Sequence, residues 1–205
     1  MSQHAPLEAP RRAVFLDRDG TINVEAGYIR DLDQLALMPG AAGAISRLRK
    51  AGLLAILVTN QTGPARGYYP ESWVWQLNNR LLTLLHEAGT TLDGVYYCPH
   101  LPDGKVAAYS MACTCRKPEP GMLTRAAEEY GLDLARCYMV GDKATDVEVG
   151  HRVGATSILL TSGYGEQVLA GTYQELKAKP EFIAPDLEAA ATWILTREVA
   201  QAEWL

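Results

Sequence analysis

The 205-residue sequence has no apolar run that approaches the ~20 residues needed to span a membrane. It also lacks a surplus of basic residues, because 24 Asp and Glu against 19 Lys and Arg give a formal net charge of −5. Nonspecific nucleic-acid binding depends on such a surplus. The first residues lack the apolar core of a secretory signal. We therefore expect a cytoplasmic protein with neither a membrane nor a nucleic acid as its partner.

Cysteine is scarce, with only four in the chain. A chain of this length can bury a full core without disulfides, and thiols stay reduced in the cytoplasm. We therefore interpret the cysteines as metal ligands or core residues. The length indicates one domain, which we place at residues 12–205. Residues 1–11 contain two prolines and few large apolar groups, so we expect them to form a disordered lead.

Strand and helix patterns alternate along the chain. Apolar runs predict strands at residues 13–16, 53–59, 94–97, 138–140, 157–160 and 182–183. Helical spacing and flanking glycines predict helices at residues 41–50, 70–88, 120–130, 144–153 and 187–199. Residues 98–116 form an irregular insert. This alternation indicates an α/β fold in which helices cover both faces of a mainly parallel sheet.

Polar side chains follow three of these strands directly. They are Asp17 and Asp19, then Thr59, Asn60 and Gln61, and finally Asp142 and Lys143. The carboxyl ends of parallel strands share one edge of the sheet, and ligands bind at that edge. We therefore predict a single functional site there.

Asp17 and Asp19 belong to an Asp-x-Asp-Gly-Thr motif after the first predicted strand. A phosphate ester repels a carboxylate, and a magnesium ion held by oxygen ligands overcomes this repulsion. Asp17 would then attack phosphorus and form an acyl phosphate, while Asp19 would protonate the leaving oxygen and later deprotonate water. Gly20 would permit the tight turn between them. Asp and Gly after a strand also form ordinary turns, so Asp-x-Asp-Gly alone leaves both interpretations open.

The full string resembles the nucleophile motif of the haloacid dehalogenase-like (HAD) phosphatase superfamily, and three more motifs follow in that superfamily's order. Thr59 resembles the second motif, whose hydroxyl binds a phosphoryl oxygen. Lys117 resembles the third, whose ammonium neutralises the transferred group. Asp142 resembles the fourth, which implies that it binds magnesium with Asp17 and the backbone carbonyl of Asp19.

This resemblance implies a Rossmann-like three-layer sandwich, here without a large cap domain. Asp146, one helical turn after Asp142, would support the metal shell or Lys117. Taken singly, a polar strand end, a surface lysine or an acid in a first helical turn is a common structural feature. The order of the four motifs favours the phosphatase.

The insert contains two close pairs of metal-ligating residues. They are Cys98 and His100, then Cys113 and Cys115, separated by twelve residues. Three thiolates and one imidazole make a complete tetrahedral zinc set, which leaves no position for a catalytic water. We predict a structural zinc loop over residues 98–115 that fixes the position of the next two residues. Cys137 has no such partner, and we expect it in the core.

A closer resemblance is to the bacterial D-glycero-D-manno-heptose 1,7-bisphosphate 7-phosphatases, from about residue 13 to about residue 165. It is carried by residues 17–23, 27–28, 59–63, 65–67, 96–100 and 113–118. The resemblance implies magnesium-dependent removal of the 7-phosphate through an aspartyl phosphate on Asp17. The product would be heptose 1-phosphate for ADP-heptose and lipopolysaccharide core synthesis.

The same resemblance implies a set of contacts with a small phosphorylated sugar. They are Glu25, Ala26, Gly27, Tyr28, Asn60, Gln61, Thr62, Arg66, Arg116 and Lys143. Arg116 is the best candidate for the distal phosphate, because a guanidinium fork matches phosphate oxygens. Pro64 departs from the apolar residue that we expect at its position, and Tyr164, Gly165 and residues 166–180 match no pattern that we can interpret. No spare amphipathic surface stands out, so we expect a monomer.

Four other functions remain open. Histidinol-phosphate phosphatases share the Asp-x-Asp core and the zinc cluster, but their amine substrate needs carboxylates, and here Arg66, Arg116 and Lys143 outnumber Glu25. A polynucleotide 3′-phosphatase would need a basic and aromatic strand path. A zinc-ribbon nucleic-acid binder would need more cations than Lys105 and Arg116 in the insert. A catalytically inactive, zinc-stabilised binding module would not need to keep the catalytic residues.

Overall fold

The computed structural model describes residues 11–202, with side chains through residue 200. Most of the predicted lead, residues 1–10, lies outside this part. Arg11, which we assigned to the lead, instead joins the fold. Its backbone N–H donates to the Gly131 carbonyl at 3.1 Å, and its carbonyl accepts from the Asp133 N–H at 3.1 Å.

Within the described residues, six strands form one sheet, with bounds within one residue of those predicted. They are β1 (Ala13–Leu16), β2 (Leu54–Asn60), β3 (Gly94–Cys98), β4 (Tyr138–Gly141), β5 (Thr156–Leu160) and β6 (Phe182–Ala184). All neighbours are parallel, in the order β3-β2-β1-β4-β5-β6. The order reverses between β1 and β4, which creates a crevice at their carboxyl ends.

Helices connect the strands, and five of them match the predicted segments closely. The helices are α1 (Ala41–Lys50), α2 (Gly63–Arg66), α3 (Glu71–Glu87), α4 (Gly121–Tyr130), α5 (Ala144–Val153), α6 (Gly165–Leu169) and α7 (Leu187–Ala202). We did not predict α2 and α6, because a helix of only four or five residues is too short to show apolar periodicity. Pro64 lies in the first turn of α2, where its missing N–H costs no hydrogen bond.

The sheet lies between two helical layers, which confirms the predicted three-layer sandwich. In β1, Val14 and Leu16 pack in the core shared with α1, α3 and α7. Ala13 and Phe15 point to the opposite face and pack in the core shared with α4 and α5. This division follows from the two-residue period of a strand. None of the described helices is long and apolar enough to cross a membrane.

Candidate active site

The carboxyl ends of β1 and β2 open into a cavity of about 230 Å³. Most of the predicted site residues line it, namely Asp17, Asp19, Glu25, Gly27, Tyr28, Thr59, Asn60, Gln61, Thr62, Arg66, Arg116, Lys117 and Lys143. Asp142 is fully buried beside Lys143. Ala26, which we expected to contact substrate, lies in the loop after the first motif, is solvent-exposed and does not line this cavity.

Asp17 is the first residue after β1 and lies between two lysines. Its backbone N–H donates to the Val140 carbonyl at 3.0 Å, which fixes it against β4. Its Oδ1 lies 3.0 Å from Lys117 Nζ, and its Oδ2 lies 3.3 Å from Lys143 Nζ. Burial alone would raise the pKa of Asp17, but the charges of Lys117 and Lys143 hold it well below its usual range. The carboxylate is therefore ionised at neutral pH, the state that a nucleophile requires.

Lys117 is buried between two carboxylates. Its Nζ lies 2.6 Å from Asp146 Oδ1 and donates to the Val58 carbonyl at 2.8 Å. Burial lowers the pKa of Lys117, but the charges of Asp146 and Asp17 outweigh burial and raise it. Asn60 accepts from the Lys117 N–H and donates to its carbonyl, both at 3.0 Å. Asn60, predicted as a substrate contact, thus also holds the lysine's backbone in place.

Asp142 completes an acidic group at the end of β4. One oxygen each of Asp17, Asp142 and Asp146 lie within 4.8 Å of one another. Lys143 Nζ lies 3.1 Å from Asp142 Oδ1. Burial raises the pKa of Asp142 to about 7; Lys143 opposes this rise, and the charge of Asp17 adds to it. We call this group of charged side chains, three carboxylates and the two lysines that contact them, the carboxylate cluster. Its members are Asp17, Lys117, Asp142, Lys143 and Asp146.

Two glycines let the backbone close around Asp142. Gly20 has φ +79° and Gly163 has φ +56°, in the left-handed region that glycine adopts without strain. A Cβ at these positions would lie 2.3 and 2.1 Å from Asp142 Oδ2. The turn predicted at Gly20 is confirmed by its φ, and the close approach of Gly163 is a feature that the sequence did not reveal.

The carboxylate cluster fits a magnesium ion. Buried carboxylate oxygens are the ligands that this ion prefers, and Asp17 and Asp142 are 3% and 0% exposed. In the structure, the Lys143 ammonium contacts one oxygen of each, so positive charge already joins the two carboxylates. Asp146 is different, because its oxygens bind Lys117 Nζ at 2.6 Å and the Lys143 N–H at 3.0 Å. Asp146 therefore suits a supporting role.

The Asp19 carboxylate lies in a ring of donors at the edge of the cavity. It accepts from the Arg18 guanidinium at 3.1–3.2 Å, from Asn23 Nδ2 at 3.0 Å and from Gln61 Nε2 at 2.9 Å. Arg18 is itself buried and donates to Asn78 Oδ1 at 3.2 Å. We had assigned no role to Arg18 or Asn23, although both belong to the first motif. Their shared contact orients the carboxylate.

The loop that follows the first motif closes one side of the cavity. Glu25 Oε1 accepts from the Gly27 N–H at 2.7 Å, and Glu25 Oε2 lies 3.7 Å from Lys143 Nζ. The Tyr28 hydroxyl lies 3.2 Å from Thr62 Oγ1, so it links this loop to the start of α2. These contacts hold polar groups in place around the opening of the cavity.

The four predicted metal ligands of the insert lie close together, and we call them the thiol cluster. They are Cys98, His100, Cys113 and Cys115. Sulfur–sulfur distances are 3.5 Å for Cys98–Cys113 and 3.3 Å for Cys113–Cys115. His100 Nδ1 lies 3.7 Å from Cys98 Sγ and 3.4 Å from Cys115 Sγ. A tetrahedral zinc ion with Zn–S bonds of ~2.3 Å separates its ligands by roughly 3.8 Å. The thiol cluster is therefore close to the size that a structural zinc ion needs.

Arg116 connects the thiol cluster to the cavity. It follows Cys115 directly, lines the cavity, and donates from Nη1 to the His100 carbonyl at 3.3 Å. The insert's other end is also tied to the sheet, because the Gln61 N–H donates to the Cys98 carbonyl at 2.8 Å. The fold of the insert thus determines where this guanidinium lies. Cys137 is buried outside the thiol cluster, as expected.

The cavity has lining residues that the sequence analysis missed. They are Tyr69, Thr145, Tyr164, Tyr173 and Gln174. Tyr164 follows β5 closely, so the rule that placed the other polar groups could have found it. Tyr173 and Gln174 lie beyond α6 in a segment without a recognisable pattern, and only the folded chain brings them to the site.

Sequence comparison identifies a family and close relatives. The family model described as HAD-hydrolase-like matches residues 114–190. The chain is 50% identical to a D-glycero-D-manno-heptose-1,7-bisphosphate 7-phosphatase of Thermosynechococcus vestitus, over 91% of this chain and 97% of the relative. It is 40% identical to a D-glycero-beta-D-manno-heptose-1,7-bisphosphate 7-phosphatase of Escherichia coli K12, over 89% and 87%.

Structural comparison agrees with these relatives. The crystal structure of a D,D-heptose 1,7-bisphosphate phosphatase from B. bronchiseptica, complexed with magnesium and phosphate, superposes with a TM-score of 0.77. The two chains are 30% identical, and the match covers 91% of this chain and 99% of that one. A putative HAD-like phosphatase of Mesorhizobium loti also gives a TM-score of 0.77, at 34% identity over 94% and 90% of the two chains.

Proposed function

The chain belongs to the D-glycero-D-manno-heptose-1,7-bisphosphate 7-phosphatase family, and from this premise we propose that it hydrolyses the 7-phosphate of heptose 1,7-bisphosphate. The products are inorganic phosphate and heptose 1-phosphate, which leads to ADP-heptose and the lipopolysaccharide core. The observation that carries the proposal is Asp17, a buried and ionised carboxylate at the end of β1, held 3.0 and 3.3 Å from two ammonium groups.

Three groups of the chain would hold magnesium, namely the carboxylates of Asp17 and Asp142 and the backbone carbonyl of Asp19. A bound magnesium ion would supply positive charge that offsets the charge of the phosphoryl oxygens. Asp146 would act indirectly, since it holds the Lys117 ammonium and the Lys143 backbone.

Asp17 performs the first step. Its carboxylate attacks phosphorus and forms an acyl phosphate, while the bond between phosphorus and the sugar oxygen breaks. Asp19, as the carboxylic acid, donates its proton to the departing oxygen. Lys117 and the Thr59 hydroxyl contact the phosphoryl oxygens, and because both are fixed in advance they stabilise the charge that moves onto these oxygens.

Asp19 begins the second step as a carboxylate. It removes a proton from a water molecule, which attacks phosphorus and breaks the bond to Asp17. This step releases inorganic phosphate and restores both aspartates to their starting states. The donors from Arg18, Asn23 and Gln61 keep the carboxylate in one orientation throughout.

The remaining polar lining recognises the sugar. Arg116 and Arg66 face the cavity, and their guanidinium groups suit the 1-phosphate that the enzyme retains. The other proposed sugar contacts are Glu25, Gly27, Tyr28, Asn60, Gln61 and Thr62. Lys143, whose ammonium lies 3.3 Å from Asp17 Oδ2, is a proposed substrate contact at the phosphoryl group. We propose that the thiol cluster binds a structural zinc ion, which fixes the insert and hence Arg116, and that the protein acts as a monomer.

Phosphate release tests the function. With magnesium present, both anomers of heptose 1,7-bisphosphate and histidinol phosphate would be offered in parallel. We expect preference for the heptose, and a fall in kcat of more than about 10³-fold in Asp17→Asn, because an amide cannot form the acyl phosphate. Asp103→Asn, an exposed aspartate in the insert, serves as the matched control and should match the wild type.

The outcomes separate the alternatives. Preference for histidinol phosphate would keep the chemistry but contradict the heptose substrate. Equal release by the wild type and Asp17→Asn would contradict the nucleophile. No release from either substrate, with the folded protein and magnesium both present, would support the inactive binding module.

A further inference from the structure

Two tyrosines that the sequence left unassigned form a stacked pair in the wall of the active-site cavity. The rings of Tyr164 and Tyr173 lie 4.2 Å apart between centroids, with 9° between their planes. Tyr164 precedes α6, and Tyr173 lies after it. Both line the cavity, so α6 and its flanking residues supply an aromatic surface beside the carboxylate cluster.

The ammonium of Lys143 lies over the Tyr164 ring of this aromatic surface. Its Nζ lies 5.5 Å from the centroid of the Tyr164 ring, within the ~6 Å over which an aromatic face attracts an ammonium. The same Nζ lies 3.3 Å from Asp17 Oδ2, 3.1 Å from Asp142 Oδ1 and 3.7 Å from Glu25 Oε2. The ring is thus the one uncharged group among these four contacts.

The backbone ties this segment to the residues that carry Asp142 and Lys143. The Tyr164 N–H donates to Asp142 Oδ2 at 2.8 Å. Gln174 Oε1 accepts from the Ala144 N–H at 3.1 Å, at the start of α5. The segment is therefore anchored at both ends, which fixes the backbone that carries the tyrosine ring relative to Asp142 and the start of α5.

A neutral partner has an advantage at this position. Lysine is a point charge on a flexible four-carbon stem, and a phosphoryl group competes with the three carboxylates for its ammonium. An aromatic face attracts the ammonium without adding a negative charge that would repel phosphate. It can therefore hold the lysine both before and after substrate binds.

We propose that Tyr164, supported by Tyr173, is a positioning residue that holds the Lys143 ammonium beside Asp17, where it meets the phosphoryl group. The inference deepens the proposed function and rests on it only for the identity of the natural substrate. Because Lys143 acts at the phosphoryl centre, its positioning should matter for any phosphate monoester that the enzyme cleaves.

Paired substitutions separate the aromatic face from the volume of the side chain. Tyr164→Leu keeps an apolar group of moderate size but removes the face, and we expect kcat/KM for both heptose 1,7-bisphosphate and p-nitrophenyl phosphate to fall about tenfold. Tyr164→Phe keeps the face and should recover most of this loss. Tyr173→Leu removes only the support and should cost about threefold. Thermal unfolding confirms that each variant is folded.

A double variant tests whether the effect passes through the lysine. In a Lys143→Met background, Tyr164→Leu should add less than about twofold, because the partner of the ring is already gone. Inorganic phosphate, titrated by calorimetry without magnesium, gives a readout that does not depend on turnover. Its Kd should weaken about five- to tenfold in Tyr164→Leu but little in Tyr164→Phe.

Several results would overturn the positioning role. They are losses that multiply in the double variant, a Tyr164→Phe variant as impaired as Tyr164→Leu, and an unchanged phosphate Kd in Tyr164→Leu. Failure of the proposed function looks different. Turnover of p-nitrophenyl phosphate without turnover of the heptose would contradict the proposed substrate, and the tyrosine variants could still be compared on p-nitrophenyl phosphate. The Kd for inorganic phosphate can be measured even if neither substrate is turned over.

Discussion

The carboxylate cluster and the thiol cluster are two candidate metal sites built in opposite ways. The first gathers residues that follow β1 and β4, more than 120 positions apart in the chain, together with Lys117 after the insert and Asp146 in α5. The second comes from one insert, with ligands between Cys98 and Cys115. In the first, each carboxylate lies within 3.3 Å of a lysine ammonium. In the second, the thiols contact one another and His100.

The difference shows what a metal ion would do in each place. Opposite charges already attract one another across the carboxylate cluster, so it can assemble before magnesium binds, and the ion adds chemistry. Thiols attract one another weakly, and burial raises the pKa of Cys98, which keeps this thiol protonated without a cation. Zinc would therefore supply the cohesion of the insert. Three substitutions, taken from the largest expected effect to the smallest, test this contrast.

Removal of the buried ammonium should break the carboxylate cluster. Lys117→Met leaves Asp17 and Asp146 buried without their shared counter-charge, so the free energy of unfolding should fall by about 3–5 kcal/mol. Urea unfolding at pH 7 measures this loss. Lys105→Met, on an exposed lysine of the insert, should stay within about 0.5 kcal/mol of the wild type. A loss below about 1 kcal/mol in Lys117→Met would mean that the carboxylates do not depend on this charge.

Removal of one thiol should empty the thiol cluster and move Arg116. In Cys113→Ser, zinc per chain measured by mass spectrometry should drop from one to near zero, and kcat/KM for the heptose should fall about 10- to 100-fold. Cys137→Ala is the matched control, since Cys137 lies outside the cluster, and it should keep its zinc. Full activity after complete loss of zinc would show that the insert positions Arg116 without the metal.

Asp93 is a carboxylate outside both clusters, and it is held by hydrogen bonds from Arg49 and one backbone N–H without any expected metal ion. Its two oxygens accept from Arg49 at 3.0 and 2.9 Å, and one accepts from the Ala55 N–H at 2.8 Å. Burial raises the pKa of Asp93, but these hydrogen bonds and the Arg49 charge outweigh it and lower the pKa below its usual value. The ionised form therefore stabilises the fold.

Stability measured against pH tests this pair. The lowered pKa means that the stabilisation is fully present above the unfolded pKa of ~3.9 and is lost as the pH falls through the folded value. Asp93→Asn should cost about 1 kcal/mol at pH 7, since the pair is partly exposed. This difference from the wild type should shrink below about pH 4. A difference that stays constant down to pH 2 would mean that charge plays no part.

The sequence located the strands and the long helices well and the short helices poorly. The bounds of β1, α1 and α5 agree with the predictions to the residue, because apolar periodicity and flanking glycines act over short stretches of chain. α2 and α6 escaped prediction because four or five residues show no period. The site followed the same division: residues in the HAD motifs line the cavity or lie buried beside it, while Ala26 does not line it and Tyr173 was missed.

The chemistry of the protein was determined by the sequence alone, because it depends on residue types at fixed short spacings. An Asp-x-Asp motif after a strand and two close pairs of thiol and imidazole ligands are local patterns. Such patterns can be recognised in a sequence whose fold is not known. The tertiary structure decided the partners across long gaps. It placed Lys117 between Asp17 and Asp146, and Tyr164 beside Lys143, because such contacts arise only when the carboxyl ends of distant strands meet at one edge of the sheet.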